Sequence, residues 1–143
     1  MKLFTIGYEG DRQPEVIARL KAAGVKTLAD VRAVASSRVA GFSKSLLASS
    51  LAEAGIEYVH LRALGTPKPG RDAARAGRIG EMREIYEDHL ATPEAEAEYA
   101  RLRVIAGERP TALLCFEADH EGCHRSVLSE RLVQDDGFTV ENL

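Results

Sequence analysis

Between positions 115 and 126 stand Cys115, Glu117, His120, Cys123, His124, Arg125 and Ser126, the densest run of side chains in the chain able to do acid–base, nucleophilic or ligand chemistry. A carboxylate moves a proton, a thiolate attacks or ligates, and an imidazole does either. Glu117 follows directly on the apolar run from Thr111 to Phe116. A carboxylate in that place is either neutralised by an arginine or held with a raised pKa as an acid or base. Cys123-His124-Arg125-Ser126 stands where a helical pattern begins, so unpaired amides and the helix dipole there favour an anion and lower a thiol pKa. Glu117, Cys123 and His124 are therefore the candidate catalytic groups. Arg125 and Arg32 add planar forks suited to phosphate or carboxylate. The plainer alternative makes Cys123 a small first-turn residue and pairs Arg125 with Asp30 or Glu117. Cys115, inside Leu113-Leu114-Cys115-Phe116, reads as a core residue.

Several motifs fail on context. His120-Glu121-Gly122-Cys123-His124 matches H-E-x-x-H letter for letter, but a zinc protease needs that motif inside a helix, and Gly122 and the preceding strand oppose one. A mixed Cys115, His120, Cys123, His124 metal site stays among the readings, although it lacks the C-x-x-C pairing that makes such assignments strong. Phosphatase-like and sulfurtransferase-like loops close on an arginine after the nucleophilic cysteine, whereas the corresponding residues here are Glu121 and Ser129. No P-loop, G-x-G-x-x-G or G-x-S-x-G occurs, and no cofactor is predicted from motif.

The chain has 143 residues, 45% hydrophobic and 29% charged, enough for one core and short for two. One domain over 1–143 is expected. No apolar stretch approaches the ~20 residues of a membrane span, and the N-terminus carries no signal-like core, so a soluble, cytoplasmic protein without a membrane partner is expected. Free thiols are then expected at Cys115 and Cys123. A net charge of -3 and a pI near 5.8 supply no global field for nucleic acid, so a polyanion would need local arginines.

The elements follow from periodicity. Lys2 to Tyr8, Thr27 to Val31, Ile56 to Leu61 and Thr111 to Phe116 read as strands, with a last short strand in Gly137 to Val140. Helices are predicted after Pro14 (Val16, Ile17, Leu20, Ala23), after Ser43 (Leu46, Leu47, Leu51, Ala54), over 81–91, over 93–106 with Thr92 as cap and Gly107 as stop, and over 126–133 with Val127, Leu128, Leu132 and Val133 inward. Ala23-Gly24-Val25 and Ala54-Gly55-Ile56 share one form, a helix stopped by glycine and followed at once by a strand. That rhythm predicts an α/β fold: a mostly parallel sheet of four to five strands with helices on both faces, a Rossmann-like three-layer arrangement. Gly65 to Gly80 is too broken for a predicted helix and reads as a mobile flap.

In parallel α/β sheets ligands bind beyond the carboxyl ends of the strands. That edge collects Gly7, Tyr8 and Glu9, then Asp30 and Arg32, then His60 and Arg62, then Glu117 to Arg125. Among the four tyrosines only Tyr8 falls near it.

These segments carry a resemblance. Thr5-Ile-Gly-Tyr-Glu-Gly10, Asp30-Val-Arg32, Ser37-Arg38 with Phe42-Ser43, Leu64-Gly-Thr-Pro-Lys68, Cys115-Phe-Glu117 and Cys123-His-Arg-Ser126 resemble the prokaryotic family called domain of unknown function 488 (DUF488). The family form usually has proline where this chain has Ala35, a departure that bears on the rigidity of that loop. The resemblance implies that Tyr8, Asp30, Arg32, Ser37, Arg38, Glu117, Cys123, His124 and Arg125 occupy motif positions, with Ser126 closing the last motif. It implies no activity.

Three functions compete. The first is an enzyme or enzyme-like domain holding a small anionic ligand, a nucleotide or a nucleic-acid end. Tyr8, Asp30, Arg32, Ser37, Arg38, Arg125 and Ser126 would form its binding set, and Glu117, Cys123 and His124 its reactive set. The second is a metal-binding, haem-binding or thiol-redox protein using Cys123 and His124. The third is a non-enzymatic nucleic-acid partner using the basic segment from Lys68 to Arg78.

Overall fold

The computed structural model describes residues 1–143. In chain order the elements are β1 (Lys2–Gly7), α1 (Gln13–Ala22), β2 (Thr27–Asp30), α2 (Lys44–Glu53), β3 (Glu57–His60), α3 (Lys68–Arg75), α4 (Ile79–Leu90), α5 (Pro93–Glu108), β4 (Thr111–Cys115), α6 (His124–Asp136) and β5 (Thr139–Asn142), with single 3-10 turns at Arg62–Leu64 and His120–Gly122. The strands form one five-stranded, all-parallel sheet in the order β3-β2-β4-β1-β5, as the βαβ rhythm predicts. No helix is long and apolar enough to cross a membrane.

The inner strands alternate between two cores because successive side chains leave a strand on opposite faces. Phe4, Ile6, Leu28, Ala112 and Leu114 pack with Val16 and Leu20 of α1 and Leu47 and Leu51 of α2. Leu3, Ala29, Val31 and Leu113 pack with Met82, Tyr86, Leu90, Leu102, Leu128 and Leu132 on the other face. Helices therefore cover both faces, which is why β2 and β4 are buried end to end. Each fully buried leucine contributes about 1.5–3 kcal/mol by leaving water.

Four local expectations are corrected. Leu46 is exposed, since Leu47 and Leu51, four apart, already set the buried face of α2. Val133 is exposed for the same reason beside Leu128 and Leu132. Helix α5 runs past Gly107 to Glu108 and stops where Arg109 takes an extended conformation, the conformation a residue before proline favours. The segment from Gly65 to Gly80 is not a structureless flap. It contains α3, whose buried Gly70 and Ala73 lie against Thr66 and the neighbouring α4. Small residues there let two helices pack closely, a signal masked in the sequence by the surrounding Gly, Pro and Arg.

Candidate functional site

β4 lies between β2 and β1, so its carboxyl end emerges between the loops that follow those two strands. The amides of Tyr8 and Glu9 donate to the Phe116 carbonyl at 3.1 and 2.9 Å, and the Val31 amide donates to Leu114 at 3.1 Å. The chain then makes the 3-10 turn and returns through Cys123, the N-cap residue of α6. Gly7 is required at the crossing, because a Cβ there would strike the Glu117 carbonyl. His120 sits in the turn and His124 begins the helix, so the two histidines of H-E-x-x-H share no helical face.

A cleft of about 750 Å³ opens at this edge. Buried Cys115, Cys123 and His124 line its bottom; Tyr8 and Glu9, Ser37 and Arg38, Phe116 and Glu117, and Arg71 and Arg75 of α3 complete it. Arg32 lines it as well, but its charge is spoken for. Its Nε and Nη2 donate to Asp30 Oδ1 and Oδ2 at 2.9 and 2.7 Å, and its Nη1 donates to Tyr8 Oη at 3.0 Å and to the Phe42 carbonyl at 2.8 Å. Burial works against this guanidinium, and the Asp30 carboxylate more than offsets it, so the Arg32 pKa rises. Tyr58 Oη donates to Asp30 Oδ2 at 2.5 Å, and its pKa rises through burial and that bond. Tyr58 thus shares the buried Asp30–Arg32 pair without lining the cleft, where Tyr8 is the one tyrosine. Tyr8 itself stacks on Phe42, ring centroids 4.2 Å apart, and its hydroxyl reaches Ser37 Oγ at 3.4 Å.

At the bottom, His124 Nε2 bonds the Val31 carbonyl at 2.7 Å. Desolvation pushes its pKa down to about 4, so the ring is neutral at pH 7, Nε2 carries the proton, and Nδ1 presents a lone pair. That nitrogen lies 3.6 Å from Cys123 Sγ and 3.9 Å from Cys115 Sγ. The expected free thiols are corrected: the sulfurs of Cys115 and Cys123 are joined. The cause is placement, since the end of β4 and the start of α6 meet there. Glu117 Oε2 lies 2.8 Å from Cys115 Sγ.

Arg125 is placed differently from Arg38. It lies beneath the loop, almost fully buried, donating from Nη1 to the Glu117 carbonyl at 2.5 Å and from Nη2 to the Ala118 carbonyl at 3.2 Å, with Nε unpaired. Burial lowers its pKa. Neither sequence-proposed pairing, with Asp30 or with the Glu117 carboxylate, forms an ion pair. Ser126 Oγ donates to the Cys123 carbonyl at 2.9 Å.

The cleft therefore brings together Tyr8, Arg32, Ser37, Arg38, Glu117, Cys123 and His124 and leaves Asp30, Arg125 and Ser126 outside its lining. The sequence reading placed Arg71 and Arg75 in the basic segment from Lys68 to Arg78 and not in this cleft, and it read Cys115 as a core residue whose one other role was in a mixed metal site. The helical spacing of Gly70, Ala73 and Ala74 is the one trace of α3 in the sequence, and residues this small leave it faint.

No curated protein and no solved structure matches the chain. The family model described as domain of unknown function DUF488 matches residues 12–132. The β1 motif precedes that range, and the motifs on β2, β4 and the start of α6 fall inside it. The chain belongs to the DUF488 family.

Proposed function

We propose that this domain is an enzyme-like protein, a hydrolase or transferase, that binds a small phosphate-bearing anion in the cleft at the carboxyl edge of its sheet. The observation that carries this reading is the set of guanidinium groups left with donors to spare around one concave site. Arg38 makes no ion pair, Arg71 uses Nη1 on the Thr66 carbonyl at 2.7 Å, and Arg75 meets Asp72 only at 3.7 Å. Arginine forks fit phosphate oxygens in pairs. Arg32 is the positioning partner of Asp30 and Tyr8, and Arg125 shapes the loop after β4. Glu117, beside the cleft bottom, is the acid or base. Tyr8 and the exposed Phe116, set edge to face, give the cleft an aromatic side on which a nucleobase or sugar would rest.

The nucleic-acid reading of Lys68 to Arg78 has less support, because Lys68 pairs with Asp72 and Arg78 with Glu81. The metal or thiol reading is favoured by the Cys115, Cys123, His124 cluster. A panel of nucleotides and phosphate esters screened by thermal shift, followed by turnover assays on those that stabilise the protein, tests the main reading. Glu117→Gln should abolish turnover and keep the thermal shift. A variant that loses neither contradicts the assignment of Glu117, and a panel without any shift contradicts the anion site.

A further inference from the structure

Cys115 Sγ, Cys123 Sγ and His124 Nδ1 lie within 4.8 Å of one another at the closed end of the cleft, all three residues buried. Three features mark them as a donor set. The bond from His124 Nε2 to the Val31 carbonyl at 2.7 Å fixes the ring with its Nδ1 lone pair toward both sulfurs. Anchoring of the far nitrogen on a carbonyl is how ligating histidines are oriented. The Cα atoms of the two cysteines stand 7.5 Å apart, wider than the roughly 4.4–6.8 Å usual for bridged cysteines. A tetrahedral ion with Zn–S near 2.3 Å holds two sulfurs about 3.8 Å apart, a spacing that suits this backbone better than a direct bond. Finally, Glu117 adds a carboxylate oxygen 2.8 Å from Cys115 Sγ, at the edge of the three donors.

We propose that the reduced Cys115 and Cys123 pair and His124 hold a tetrahedral, zinc-class divalent cation whose fourth position opens to the cleft beside Glu117. A dithiol reductant supplies two electrons and two protons to the joined sulfurs and is itself oxidised to a cyclic disulfide. The cation then displaces the two thiol protons to solvent, and two thiolates balance its charge. Two sulfurs and an imidazole select a soft or borderline metal over magnesium or calcium. Three protein ligands with an open position are the pattern of catalytic zinc, where a bound water is activated; Glu117 is placed to accept its proton. Only this last role rests on the enzyme-like reading above.

The test is a cobalt(II) titration of the full chain, reduced with a dithiol, freed of reductant under anaerobic conditions, and kept in chloride buffer without phosphate. The expected result is one equivalent of cobalt taken up, with thiolate charge-transfer absorption in the near ultraviolet, tetrahedral visible bands, and release of about two protons; zinc then displaces the cobalt and abolishes the bands with no proton taken back. Cys123→Ser and His124→Ala should each weaken cobalt binding at least tenfold, while His120→Ala, outside the cluster, should leave it unchanged. Reduced wild-type protein with two titratable thiols and no charge-transfer band overturns the proposal. So does a sulfur pair that resists the dithiol and binds no cobalt, or equal loss of cobalt in His120→Ala. The anion reading is judged separately, by ligand binding to metal-free protein.

Discussion

His124 Nε2 lies 2.7 Å from the carbonyl oxygen of Val31, tying the first residue of α6 to the exit of β2 across the bottom of the cleft. The bond needs a proton on Nε2, and burial keeps the ring neutral with a pKa lowered to about 4. In metal-free protein, nitrogen-correlated NMR at pH 6 should show a neutral Nε2–H tautomer. The unfolded chain takes up this proton near its ordinary value of 6.5, so stability is fully present above that pH and falls as pH drops toward 4. The loss attributable to this group is about 3 kcal/mol, read from urea unfolding as a function of pH. A ring that titrates near 6.5 in the folded protein contradicts the buried, carbonyl-bound arrangement.

Asp30 is fully buried against Arg32 and Tyr58. Asp30→Ala should cost about 3–5 kcal/mol, because it strands a buried guanidinium. The double variant Asp30→Ala with Arg32→Met should recover part of that loss. Denaturant midpoints for the four members of the cycle measure the coupling, and strictly additive losses would show that the pair is not acting as one unit.

Gly7 is placed by contact, with the Glu117 carbonyl and Arg125 Nη1 occupying the space of a side chain. Gly7→Ala should destabilise the protein by about 1–3 kcal/mol through overpacking. The control is Gly80→Ala in the first turn of α4, where a Cβ meets open space; it should be neutral or stabilising, since alanine loses less backbone freedom than glycine on entering a helix. Equal thermal midpoints for the two variants would contradict the close crossing of β1 and the loop after β4.

Arg125 holds the carbonyls of Glu117 and Ala118. Arg125→Met leaves those acceptors without their donor, at a cost of about 1–3 kcal/mol. Hydrogen exchange should accelerate at the Ala118 and Glu121 amides, bonded to Glu9 and Asp119, while the β4 amides stay protected. Uniform acceleration across β4 would show that Arg125 supports the sheet and not the loop.

Much of this fold could be read from the sequence, because Gly24 and Gly55 punctuate βαβ units and the inner strands carry buried-strand composition. The carboxyl-edge rule then gathered Tyr8, Arg32, Glu117, Cys123 and His124 without coordinates. Strand order was harder. Placing β4 between β2 and β1 depends on long-range packing that no local pattern encodes, and it is this placement that puts Cys115 at the cleft bottom. Chain-local reading also made Arg125 and Arg38 equivalent, although one is buried beneath a loop and the other is exposed. Helix α3 escaped notice because its buried residues, Gly70 and Ala73, are small, and the hydrophobic pattern that reveals a helix needs larger ones.

Calorimetric titration of pyrophosphate into metal-free protein, repeated with Arg38→Ala and Arg71→Ala, bears most directly on the anion-binding cleft. Saturable binding that weakens about tenfold or more in each variant, as the loss of a charge-assisted contact requires, and that weakens as salt is raised, is the predicted result. Absence of saturable heat in the wild-type protein, or binding unchanged in both variants, would contradict it.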